Sequence, residues 1–405
     1  MNEMPVPDSD ARIVSQTLSQ QLISRLHTQG GWMGFDTYMR AALYEPALGY
    51  YSGGSQRFGA DGDFVTAPGL TPLFGGCIAN ACAGWFGQVE PVITEFGAGT
   101  GQLAAQVLNA LDRLGQPPVR YQILELSGPL RRQQQHTLAA LAPGLSDRVQ
   151  WLDALPTNLS GVVLANEVLD AMPVRLFELR DHQVFERGLI RGGRNENFAW
   201  QSRAGDPGFV RDVNTSLARA GWGGRNPGAL DYAAWPDGYT SELAQEASGW
   251  IRTVGERLFD GVLLSLDYGF PAAEFYHPQR AGGTLACHYR HRVHHDPLIY
   301  PGLQDITAHV DYCAIAVAAE RVGLQLLGYT SQGNFLLHSG LLEALAQVPV
   351  TDTADYARQS QAVQKLVSES EMGELFKVIA FASGDISPAS GFAGRDRSHS
   401  LSSER

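Results

Sequence analysis

Seven consecutive residues carry the clearest chemistry in this chain: Glu95-Phe96-Gly97-Ala98-Gly99-Thr100-Gly101. Glycine has no Cβ, so three of them in alternation let the backbone turn tightly and lie against a ligand. A dinucleotide-binding loop sets its third glycine three residues after the second and presents a helix N-terminus to a pyrophosphate. Here the spacing is two, position 102 is Gln, and an acidic residue precedes the first glycine. The alternatives are a dinucleotide site and a glycine turn of structural use only.

Other polar residues stand where strands of an α/β sheet would end. Glu125 closes the run VRYQILEL, 24 residues after Gly101. An acid at the tip of a second strand can accept both hydroxyls of a ribose, and an exposed glutamate without a role is the plain alternative. Asp153, in WLDALP, is placed near an adenine. A fourth strand runs into Asn166-Glu167-Val168-Leu169-Asp170. Glu167 and Asp170 share a face if this segment is helical, and two such carboxylates can hold a guanidinium bidentately. A helix cap is the competing use. Asp267 and Tyr268 end a fifth strand on the same rim. The stretch from His288 to His295 resembles a metal site by composition, but its interleaved arginines would repel a divalent cation, so no metal is expected and a substrate-contacting or loop-ordering role is preferred.

The elements that must position these groups alternate. PVITEFG reads as a strand and GQLAAQVLNALDRLG as a helix closed by Gly115; strand, helix, short strand and strand follow to Asp170. Such alternation indicates a parallel sheet with crossover helices, an α/β fold of Rossmann-like form with helices on both faces. Before it come two amphipathic helices, 12–28 and 34–44, and a glycine- and aromatic-rich stretch with the character of a binding loop. After Asp170, short alternating runs over 175–203 read as an inserted hairpin or meander, followed by a loop with one helix over 205–240 and another helix near 241–258. GVLLSLDYG is a buried strand. A loop then runs to about 304, followed by a helix over ITAHVDYCAIAVAAERVG, a strand LQLLGYT, helices through 334–371 and a last strand FKVIAFAS. The expected divisions are 1–90, 91–174, 175–258, 259–383, and a mobile Ser-, Gly- and Arg-rich tail over 384–405.

Composition narrows the function. The only lysines are Lys365 and Lys377, and neither follows a glycine-rich loop, which argues against Schiff-base chemistry and against a P-loop. A net charge of −12 makes nucleic acid a poor default partner. No apolar run is long enough to span a bilayer, and the N-terminus lacks a signal pattern. Four well-separated cysteines without a CxxC pair point to a reduced cytoplasm.

The loop form [ED]xGxGxG resembles that of class I methyltransferases, whose cofactor carries an amino acid moiety instead of a pyrophosphate. Over about residues 34–383 the chain resembles the MidA-like methyltransferases more closely. The likeness rests on YMRAALYEPALGYY, FGADGDFVTAP, EFGAGTGQL, YQILELS, LANEVLDAMPV, LDYGF, TLACHYRHRVHHDPL, PGLQDITAHVD and SQGNFLL. It implies a class I core and methyl transfer from S-adenosyl-L-methionine. In the family's mitochondrial member the acceptor is a protein arginine, and the protein assists assembly of respiratory complex I. The resemblance places Asp63, Glu95, Gly97, Gly99, Glu125, Asn166, Glu167 and Asp267 in the site, with Gly101 on the cofactor. Asp267, Tyr268 and His309 are assigned to substrate contact. One departure concerns Gly69, which stands where the family pattern carries a glutamate.

If the acceptor is arginine, carboxylates at 167 and 170, with Asn166, orient a guanidinium that is always protonated. A small-molecule O- or N-methyltransferase and a cofactor-binding assembly factor are the alternatives. The long insert favours a polypeptide acceptor.

Overall fold

The computed structural model describes residues 4–53, 66–193 and 197–402. They sort into two compact units, each assembled from separated stretches of chain. The first comprises Met1–Phe64, Asp170–Gly249 and Phe270–Ile315; the second comprises Val65–Leu169, Trp250–Gly269 and Ala316–Arg405. This differs from a linear division. Residues 270–315, expected in the second part of the core, belong with the insert and the N-terminal helices.

The second unit is built on strands β1 (Val92–Phe96), β2 (Arg120–Leu124), β3 (Val149–Leu152), β4 (Leu159–Asn166), β5 (Leu258–Phe270), β6 (Gln325–Ser331) and β7 (Phe376–Ser383). They lie in the order β3-β2-β1-β4-β5-β7-β6. Neighbours from β3 to β5 are parallel. β7 runs antiparallel to both β5 and β6. Every residue of β1 is buried, as a strand covered on both faces requires. Helix α1 (Gln102–Arg113) buries Leu103, Val107, Leu108 and Leu111, an apolar stripe at helical spacing. It ends where Gly115 takes φ 70° and two prolines follow. Helix α2 (Gly128–Leu141) starts on Ser127, whose hydroxyl accepts from Leu130 N, and stops before Pro143.

Parallel strands send all their carboxyl ends to one edge. Phe96 pairs with Leu124 and with Ala165, Leu124 with Leu152, and Asn166 with Leu266. The glycine loop, Glu125, Asp153, Glu167 and Asp267 therefore leave the sheet along the same rim, where ligands of such sheets bind.

The end of the chain corrects the expectation of a mobile tail. Ile386, Ala389, Phe392 and Leu401 are buried. The Phe392 ring lies 5.2 Å from that of Phe335, and Arg397 N donates to Tyr329 O at 2.6 Å.

In the first unit, the strands Arg175–Arg180, Gln183–Arg191 and Phe198–Ala204 form the expected meander, extended by Tyr239–Leu243 and Met33–Gly34. The helix Ser9–Thr28 is capped by Asp8 and buries Leu18, Leu22 and Leu26, four residues apart. The loop expected to reach about 304 contains strands Ala286–Tyr289 and Arg292–His294, paired as a hairpin. The helix expected from Ile306 begins only at Tyr312, after strands Asp305–Thr307 and Val310–Asp311.

Candidate cofactor and methyl-transfer site

The glycine loop is built as its composition demands. Gly97, Gly99 and Gly101 have φ of 63°, 50° and 84°, the left-handed region that other residues enter at a cost. A Cβ on Gly101 would stand 3.1 Å from the Gln134 backbone, and one on Gly97 would stand 3.3 Å from Val168 Cγ2. A Cβ on Gly99 would meet no protein atom within 4 Å. Two glycines thus let the loop pack inward, and the third leaves open space against which a ligand can lie. This fits a bound nucleoside cofactor.

Glu95 sits within β1, wholly buried, and accepts the Tyr121 hydroxyl at 2.8 Å. Burial pushes its carboxyl up to about 7, against the pull of Tyr121 and with a further push from Glu125. Glu125 lies one residue past β2. Its Oε1 accepts Ser127 N at 2.8 Å and its Oε2 accepts Gln134 Nε2 at 3.1 Å. Burial raises its pKa as well. Asp153 is exposed and pairs with Arg131 Nη1 at 2.7 Å. That arginine also donates to the carbonyls of Glu125 and Leu152, so it bridges the tips of β2 and β3. Asp63 lies outside the described residues.

On the other side of β1, Glu167 follows β4 with φ 54°, a strained value for a non-glycine residue. Its N–H donates to Leu266 O at 2.9 Å, and its Oε1 accepts Asn166 Nδ2 at 3.2 Å. The loop is fixed by Asp267, which has no exposed surface. One carboxylate oxygen accepts the N–H groups of Val168 (3.1 Å) and Leu169 (2.9 Å); the other accepts Tyr268 N at 2.9 Å. Asp267, expected to contact substrate, thus accepts three backbone N–H groups, two of them from the loop that follows Glu167. Tyr268 packs edge-on against Phe376, with ring centroids 5.1 Å apart.

The helical premise for pairing Asp170 with Glu167 is corrected. Residues 167–172 form turns, not a helix, so Asp170 neither shares a helical face with Glu167 nor caps a helix. It belongs to the first unit, where it is buried and its carbonyl accepts Ala308 N at 2.9 Å. Close by in that unit, Tyr51 stacks on Tyr44 and donates to Asp305 Oδ1 at 2.9 Å. Asp305, Tyr44 and Asp170, adding to burial, hold the Tyr51 phenol well above its ordinary value. His309, in the same unit, stacks flat on Phe270, and its N–H donates to the Thr284 hydroxyl.

The histidine-rich stretch is a hairpin whose turn, Arg290-His291, has positive φ at both positions. Arg290 reaches the Val6 carbonyl and the Asp8 carboxylate. Among the described residues no group of three or more His, Cys, Asp or Glu is placed to hold a metal.

Gln134 and Trp151 escaped the sequence reading. Gln134 is fully buried and donates to Gly99 O and to Glu125, while it accepts Trp151 Nε1 at 2.9 Å. Its signal was present: it falls four residues before Leu138, on the buried stripe of α2.

Residues 77–330 match the model of a family described as "Putative S-adenosyl-L-methionine-dependent methyltransferase". The match spans well over half of the chain. The chain belongs to this family. A protein from Burkholderia thailandensis, solved bound to S-adenosyl-homocysteine, is 45% identical to this methyltransferase, covers 98% of it with 100% of its own length and superposes with a TM-score of 0.91. A Caenorhabditis elegans relative named "Protein arginine methyltransferase NDUFAF7 homolog, mitochondrial" is 28% identical over 85% of this chain and 81% of its own. Its Drosophila melanogaster namesake is 26% identical over 94% and 88%. The methyltransferase uses S-adenosyl-L-methionine as its cofactor. The cytoplasmic expectation is corrected, since these relatives are named as mitochondrial. Its four cysteines are free and buried, and reduced thiols suit any reducing compartment, so they never discriminated. No helix among the described residues is long and apolar enough to cross a membrane.

Proposed function

We propose that this methyltransferase acts on an arginine side chain of a protein, and that Glu167 is the carboxylate that receives the guanidinium. The observation that carries the reading is the construction around Glu167. A buried carboxylate, three backbone N–H donors and a strained left-handed turn hold one acidic side chain at the rim beside the glycine loop. Relatives named as protein arginine methyltransferases support the acceptor class. The family resemblance adds a respiratory complex I subunit as the polypeptide in question.

When bound, S-adenosyl-L-methionine supplies an electrophilic methyl group, so the chain's own work is alignment. The loop Glu95–Gly101 and Glu125 hold the cofactor, with Asp153 and Asn166 at the margins. Glu167 holds the guanidinium fork through a charge-assisted bond and orients one nitrogen. Methylation of that nitrogen releases one N–H proton, which the Glu167 carboxylate bonded to the guanidinium accepts.

Glu167→Gln tests this. The variant keeps shape and one acceptor oxygen but loses the charge. Turnover on an arginine-containing protein acceptor is expected to fall roughly 10- to 100-fold, the worth of one charge-assisted bond. S-adenosyl-homocysteine affinity by calorimetry is expected to stay within about twofold. Full turnover in the variant would remove Glu167 from the chemistry.

A further inference from the structure

We infer that Gln134 is the positioning residue of the cofactor site, setting Glu125 so that it discriminates a ribose by a hydroxyl. The inference rests on the reading of Glu125 as the ribose acceptor.

Three strand tips converge on this one side chain. Its amide nitrogen has two N–H groups; one meets the carbonyl of Gly99 at 3.1 Å and the other meets Glu125 Oε2 at 3.1 Å. Its amide oxygen accepts Trp151 Nε1 at 2.9 Å. The glycine loop after β1, the acid after β2 and the body of β3 are thus tied by three hydrogen bonds to one side chain that has no exposed surface. Gly101 packs against the same residue, where a Cβ would lie 3.1 Å from Gln134 Cα.

The count of lone pairs gives the arrangement its meaning. Each carboxylate oxygen has two. Ser127 N donates to Oε1, Gln134 Nε2 donates to Oε2 and the Leu126 backbone N–H also bonds the carboxylate, so of its four lone pairs one is left to accept a ribose hydroxyl. That hydroxyl needs the acceptor held in place. Without Gln134 the carboxylate is held by backbone N–H groups on one side only, and it loses a donor that keeps it ionised against burial. No other residue type fills the post. Glutamate has no N–H to give, asparagine is one carbon shorter, and methionine packs but bonds to nothing.

The test is a comparison of ligands in calorimetry on the full chain: S-adenosyl-homocysteine against its 2′-deoxy analogue, in wild type, Gln134→Met and Gln134→Glu. Wild type is expected to prefer the ribose ligand by about tenfold or more, the worth of one bond to a charged acceptor. In Gln134→Met that preference is expected to shrink to about twofold, because affinity for the ribose ligand falls while affinity for the deoxy ligand barely changes. A residue that only filled the core would weaken both ligands equally and leave the ratio intact, and an intact ratio overturns the inference. Gln134→Glu supplies a second readout should the methionine variant fail to fold. Two carboxylates then face each other, so binding is expected to weaken as pH rises from 6 to 8.5 and to recover at the acid end, where one is protonated. A pH profile parallel to that of wild type overturns it too. If wild type itself shows no preference between the two ligands, the ribose reading of Glu125 fails first and takes the inference with it.

Discussion

A carboxyl group enclosed by protein is a poor host for negative charge, and Glu95 occupies such a place, with the Tyr121 hydroxyl only partly offsetting its burial. Burial raises its pKa from an ordinary 4.5 to about 7. The folded chain therefore binds a proton there that the unfolded chain has released, and the sign follows. The stabilising contribution is complete below about pH 4.5 and is lost as pH climbs through 7, a swing of about 3 kcal/mol. Glu95→Gln has no such titration. Urea unfolding of wild type and variant across pH 5 to 8 is expected to show the variant gaining on wild type as pH rises, and parallel curves would place the charge of Glu95 in a wetter setting than described. The placement of Glu95, Glu125 and Glu167 at strand ends was legible, because a parallel sheet sends those ends to one rim. The place of Asp267 on that rim was legible, but its bonds to backbone were not. Sequence places a residue on a rim without telling whether its carboxylate faces outward or turns back onto three backbone N–H groups.

The loop between β1 and α1 separates folding from binding within a few residues. Gly99→Ala puts a methyl into open space at a φ of 50°, so folding should lose about 1 kcal/mol. On the proposed placement of the cofactor against this loop, cofactor affinity is expected to lose far more. Gly101→Ala drives its methyl to 3.1 Å from the backbone of α2 at a φ of 84°, so stability is expected to suffer more than in Gly99→Ala, by about 1–3 kcal/mol. Denaturation without ligand, paired with calorimetry on S-adenosyl-homocysteine, separates the two; wild-type affinity in Gly99→Ala would mean the cofactor lies elsewhere. At this scale the sequence was a good guide wherever an element was long. The seven core strands and helices α1 and α2 emerge from periodicity and turn residues alone. It failed on short strands. Asp305–Thr307 and Val310–Asp311 are three and two residues long, too brief to show alternation, and the helical spacing of Tyr312–Glu320 spread backwards over them.

Composition over a window misjudged the end of the molecule, because polar residues outnumber the few that anchor it. Ile386, Ala389, Phe392 and Leu401 are widely spaced yet each is buried, and a Cβ on Gly328 would collide with the Phe392 ring at 2.5 Å. Ending the chain after Gly384 is expected to destabilise the fold by several kcal/mol, the scale of burying such side chains, read as a lower urea midpoint. An unchanged midpoint would show that these residues add nothing. For the whole protein, saturating S-adenosyl-homocysteine should raise the thermal midpoint by a few degrees, as about 2.7 kcal/mol at a hundredfold excess over Kd requires, and NADH should leave it unchanged. Stabilisation by NADH alone would contradict the cofactor. The placement of β7 also sets a timetable for synthesis. β6 has β7 as its neighbour at the end of the sheet, and β7 fills the flank of β5, yet β7 comes last in chain order among the described strands. Until Ser383 has left the exit tunnel, β5 presents a long apolar edge and β6 has nothing to hydrogen-bond. A nascent chain thus carries that open flank from the completion of β5 at Phe270 until β7 can dock, and a chain ended before Phe376 is expected to keep it and to aggregate more readily than the full chain.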